Sequence, residues 1–184
     1  PTNSNGGENY GYVKYNHILD QWDYGFNSAS NPYVARSAWI NESVLGPPIG
    51  AGLNQYIYQH EFLQATQTPC LNADTQPMNS SFQTGFFVLT EATEKMFIDQ
   101  IWPDAKWGYY GGTQNATLNM TFYAADYPNQ TPVSYGPYTL TSSTQYITPR
   151  IRGRLISIYV ASNDLGSFWR IGNVRYRVKT DGKF

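Results

Sequence analysis

Ala116-Thr117-Leu118-Asn119-Met120-Thr121-Phe122-Tyr123-Ala124 alternates apolar and polar residues with a period of two. Leu118, Met120 and Phe122 face one way; Thr117, Asn119, Thr121 and Tyr123 face the other. That spacing belongs to a strand with one buried face. A helix would need apolar residues three and four apart. The same strand signature recurs on both sides of this stretch. Ser81–Thr90, Glu94–Ile101, Arg150–Val160, Ser167–Ile171 and Asn173–Lys179 each read as strands, and Tyr138–Ile147 includes a short one. Pro103 stops any helix begun at Glu94. Trp107–Gly112 reads as a strand end and turn, and residues 125–137 as a loop.

The N-terminal third follows the same rules. Tyr10–Tyr15 and Trp22–Phe26 read as a hairpin across the turn His17–Gln21. Val34–Ile40, a short strand from Ala51 and Tyr56–His60 add three more strands. Residues 62–80 are rich in Gln, Thr, Asn and Pro and read as a connection. The expected layout is all-β. Residues 1–61 form propeller-blade-like antiparallel strands, and residues 81–184 a C-terminal β-sandwich.

Composition agrees with that class. Aromatics make up 16% of the 184 residues, with 16 Gly and 11 Pro to punctuate turns. Charged residues reach only 14%, which with so many aromatics excludes a disordered chain. No apolar run is long enough for a membrane-spanning helix. The opening PTNSNGGENY shows no basic stretch followed by an apolar one, so no signal peptide is read. The net charge of −1 conceals a polarity. From Pro149 to Phe184, eight cations face only Asp164 and Asp181, a net of +6. The first 148 residues hold four cations against eleven carboxylates, a net of −7.

Few residues suggest catalysis. His17 and His60 are the only histidines and are too far apart in sequence for a local metal motif. Cys70 is alone, so it forms no intramolecular disulfide, and no local motif marks it as a nucleophile. Glu91 with Glu94, and Asp99 with Asp104, are formal glycosidase pairs, but solvated carboxylates are the commoner outcome. No nucleophile elbow or phosphate-cradling glycine loop occurs. The expectation is a protein that is not an enzyme and needs no cofactor or metal. Five Asn-X-Ser/Thr triplets, at Asn41, Asn79, Asn115, Asn119 and Asn129, would suit a glycosylated secreted chain. A composition rich in Asn, Ser and Thr also produces such triplets by chance.

Two contact surfaces are candidates. Arg175, Arg177 and Lys179 alternate with Val174, Tyr176 and Val178, so a strand exposes three cations together. Arg150, Arg152 and Arg154 share one face of another strand, and a bulge at Gly153 would switch faces. These six form a basic contact surface for acidic partners, set against a solvated sheet edge protected by charge. Trp102, Trp107, Tyr109 and Tyr110 form an aromatic platform for a protein interface or a glycan, set against rings that simply fill the core.

The order of motifs at the C-terminus resembles a known family. Arg152-Gly153-Arg154 opens a strand and Ser162–Gly166 forms a small loop. Trp169-Arg170-Ile171-Gly172, Arg175-Tyr176-Arg177 and Asp181-Gly182 follow. This run is similar to the end of tailed-bacteriophage tail nozzle or tail-tube proteins, including packaged-DNA stabilisation proteins. Tyr10–Phe26, Arg36-Ser37-Ala38-Trp39 and Ile57–Glu61 also fit that pattern. The resemblance implies a structural virion protein located in the phage tail. Its partners would be identical subunits in a ring and neighbouring virion tail proteins, with DNA passing close by. The chain is shorter than members of that family, which implies the C-terminal portion of a longer product or a reduced version. The alternative reading is a carbohydrate-binding β-sandwich acting in host receptor attachment.

Overall fold

The computed structural model describes residues 11–26, 36–40, 46–52, 55–59, 80–89, 94–109, 116–164 and 167–183. Among them are twelve strands and no helix, so the fold is all-β. The chain divides into two units, Pro1–Gln76 and Pro77–Phe184, with the division inside the polar stretch 62–80.

In the first unit, β1 (Gly11–Asn16) and β2 (Gln21–Phe26) form an antiparallel hairpin. Asn16 shapes its turn, because Oδ1 accepts from the Ile18 N–H at 3.0 Å and the Leu19 N–H at 3.2 Å. Asp20 closes the turn with φ at 51°, a left-handed conformation that Asp tolerates better than most residues. Val13 pairs with Tyr24 and Tyr15 with Trp22, which makes one face of the hairpin apolar. The other face carries Asn16 with Gln21 and the ion pair Lys14–Asp23, at 3.1 Å. A second sheet runs β3 (Arg36–Ile40), β4 (Ile49–Gly52), β5 (Ile57–Gln59). Among the described residues of this unit only Pro48 and Gly50 are buried.

The second unit holds the core. One sheet has the order β6 (Ser80–Gln83), β11 (Leu155–Ser162), β8 (Leu118–Ala125), β9 (Val133–Leu140). The other has the order β10 (Ile151–Gly153), β7 (Glu94–Tyr109), β12 (Ser167–Lys183). Leu118, Met120 and Phe122 of β8 are fully buried, as their alternation requires. They cluster with Ile156 and Val160 of β11, Met96, Ile98 and Ile101 of β7, and Ile151 of β10. Each such side chain contributes about 1.5–3 kcal/mol by leaving water.

Four sequence expectations change. Residues 125–137 are not all loop, because β9 begins at Val133. Gly136-Pro137 hid it, yet β9 is an edge strand, where a proline costs no ladder bond facing a neighbour. β7 runs past Pro103, which lies opposite Val174 at a bulge in its partner strand. The two expected C-terminal strands are one, β12, with that bulge between Ile171 and Val174 absorbing the irregularity. Arg150–Val160 is two strands in two sheets. β10 pairs with β7, and β11 pairs with β8 and β6. The chain crosses between the sheets at Gly153, where an added Cβ would stand 3.0 Å from the Ala124 Cβ.

Candidate functional site

The β10–β7–β12 sheet turns one face to the core and the other outward. On β12, Trp169, Ile171, Val174, Tyr176 and Val178 pack against the core. The intervening Arg170, Arg175, Arg177 and Lys179 are therefore exposed along one face. Residues directly opposite each other in an antiparallel ladder share a face. Lys106 lies opposite Arg170, Trp102 opposite Arg175, Gln100 opposite Arg177, and Phe97 opposite Lys179. Arg152 of β10 flanks Phe97 on its other side, with its guanidinium 5.3 Å from the ring centroid.

Two carboxylates organise one end of this surface. Asp99 sits at the bulge between Ile98 and Gln100. Arg177 Nε donates to its Oδ1 at 2.6 Å and Lys179 Nζ to its Oδ2 at 3.0 Å. The hydrogen bond from Arg177 first, and then that from Lys179, hold the Asp99 carboxyl down at about 2. The same contact raises Arg177. Asp181 takes Arg152, with Oδ2 3.0 Å from Nε. Lys106, Arg170 and Arg175 have no carboxylate partner among the described residues.

The expected basic surface is thus brought together in part. Arg152, Arg175, Arg177 and Lys179 share the outer face of one sheet. Arg150 precedes β10 with a left-handed φ of 53°, and Arg154 follows the crossing, so neither extends a single three-arginine face. Arg154 instead stands over the Tyr127 ring, at 6.0 Å. Lys106, Arg170, Asp99 and Asp181 belong to the surface and were absent from the expected set. Strand parity was the available signal for Lys106, which lies four residues from Trp102.

The aromatic set does not form one platform. Trp102 is on the outer face, whereas Trp107 packs against the core. Tyr110 and the side chain of Tyr109 lie outside the described residues. His60, Cys70 and Glu91 lie outside them as well, and His17 is exposed in the hairpin turn. Among the described residues no cluster of His, Cys, Asp or Glu side chains could hold a metal ion. No helix among them is long and apolar enough to cross a membrane. No protein-family model matches the chain, and no curated protein matches it.

Proposed function

We propose that this chain is a structural component of a tailed-bacteriophage virion, part of the tail nozzle or hub ring that extends the DNA channel. It acts through contacts with identical subunits and neighbouring tail proteins, and this reading assigns it no catalytic step or cofactor. The observation that supports it is where the family-like motifs fall. Arg152-Gly153-Arg154, Trp169–Gly172, Arg175-Tyr176-Arg177 and Asp181-Gly182 all belong to, or border, one three-stranded sheet. The first and last of these motifs are tied by the Arg152–Asp181 ion pair at 3.0 Å. Their cations emerge together on a surface suited to acidic neighbours. A β-sandwich in the second unit supplies the rigid base for that surface.

The decisive experiment locates the chain in an intact particle. Density or antibody label at the tail, in a ring of identical subunits, is expected. A chain absent from the tail of the native particle, and monomeric at high concentration, would sink the reading.

A further inference from the structure

The β1–β2 hairpin carries its own aromatic set on one face of the ribbon. Tyr15 stands opposite Trp22 there, and Val13 opposite Tyr24. Trp22 is 72% exposed, Tyr24 69% and Tyr15 46%. Tyr15 props the indole, with ring centroids 4.6 Å apart and planes 34° from parallel. A carboxylate stands at the rim of these rings. The Tyr15 hydroxyl donates to Asp20 Oδ1 at 2.8 Å, and Asp20 Oδ2 has no partner among the described residues. Lys14 and Asp23 pair with each other on the opposite face at 3.1 Å, so no Lys or Arg of the hairpin accompanies the rings. A phosphate or sulfate would meet Asp20 and no cation. The area is small as well. At about 150–250 Å² per buried ring, the exposed parts of three rings fall short of the roughly 800 Å² per partner of a stable protein contact. A neutral pyranose matches both features. With equatorial hydroxyls, its axial C–H groups meet the electron-rich face of an aromatic ring. Its vicinal hydroxyls donate charge-assisted hydrogen bonds to a carboxylate.

We propose that the β1–β2 hairpin binds a neutral glycan of equatorially substituted pyranose units. Trp22 is the stacking platform, and Tyr24 extends it by about 7 Å along the ribbon. Tyr15 holds Trp22 in place, and Asp20 accepts from sugar hydroxyls. Sugar recognition thus belongs to the first unit, and not to Trp102 or Trp107 of the second. This goes beyond the assembly reading above and does not depend on it.

The test titrates the full chain with cellohexaose by isothermal titration calorimetry. Saturable binding by the parent is expected. Trp22→Ala should weaken it at least about tenfold. Asp20→Asn keeps an acceptor for Tyr15 and tolerates the same backbone conformation. By removing the charge it should weaken binding about three- to tenfold. Tyr146→Ala, which removes a 52% exposed ring from the second unit, should leave binding unchanged. Circular dichroism checks that each variant stays folded. No binding of cellohexaose by the parent, or equal affinity of the parent and Trp22→Ala, overturns the proposal. A parent that ignores cellohexaose but self-associates, with Trp22→Ala monomeric, would make the face a contact between copies. One that ignores it but sediments with phosphatidylcholine vesicles would make the hairpin a lipid contact through Ile18 and Leu19, which are 80% and 62% exposed in the turn. Either result sinks the glycan proposal. The assembly reading is decided by the particle and stands or falls separately.

Discussion

Trp107 and Trp169 stand opposite each other across the β7–β12 ladder, and they differ in how their indoles are satisfied. Trp169 Nε1 donates to Ser80 Oγ at 2.8 Å, while the buried Trp107 Nε1 has no partner among the described residues. The Trp169 ring also stacks on Phe82 at 5.9 Å, which ties β12 to β6 in the other sheet. Replacing either by Phe removes similar ring volume. Only Trp169→Phe also breaks a hydrogen bond, worth about 0.5–1.5 kcal/mol. Urea denaturation should therefore show Trp169→Phe as the more destabilising change by about that amount. Equal costs would mean that the Ser80 contact contributes nothing.

The two units should differ in local stability. The second unit contains the buried cluster around Phe122, whereas the described part of the first buries only Pro48 and Gly50. Two- and three-stranded sheets without a covered face are marginal in water. Hydrogen exchange of the dissociated chain should protect the amides of β8 and β11 longest and release those of β1 and β2 first. Equal protection of both units in the monomer would contradict this.

The crossing at Gly153 should be intolerant of any side chain. Its φ is 159°, and a Cβ would meet Ala124 Cβ at 3.0 Å and the Ala125 carbonyl oxygen at 3.3 Å. Gly153→Ala should destabilise the chain by about 1–3 kcal/mol, through backbone strain and overpacking. Gly85→Ala, where nothing lies within 4 Å, serves as the control and should stay within about 1 kcal/mol. A thermal melt of the two variants separates them.

These sites also mark where the sequence was readable. Leu118, Met120 and Phe122 announced β8 because a two-residue period leaves one assignment of faces. Arg175, Arg177 and Lys179 were legible for the same reason. Trp102 and Trp107 were grouped by nearness in sequence, although five positions along a strand place two residues on opposite faces. The arginines from 150 to 154 gave no sign that the chain changes sheets, because only tertiary contacts with Ala124 and Ala125 fix that corner. Lys106 and Arg170 became partners only through the β7–β12 register, which shifts at three points that no local pattern encodes.

Asp99 links the candidate surface to acid stability. Its carboxyl is held at about 2, below its ordinary 3.8, by hydrogen bonds from Arg177 and then Lys179. A folded-state value below the unfolded one means the unfolded chain binds more protons in this window. The contribution of Asp99 is thus complete above about pH 4 and is lost as pH falls through about 2. Asp99→Asn keeps the shape but removes the titrating charge. The parent should lose stability from pH 4 to pH 2 more steeply than the variant, measured by denaturant midpoints at fixed ionic strength. Added salt should shrink the difference, because Arg177 and Lys179 are half exposed or more. Parallel profiles would show that the two contacts do not hold the carboxylate.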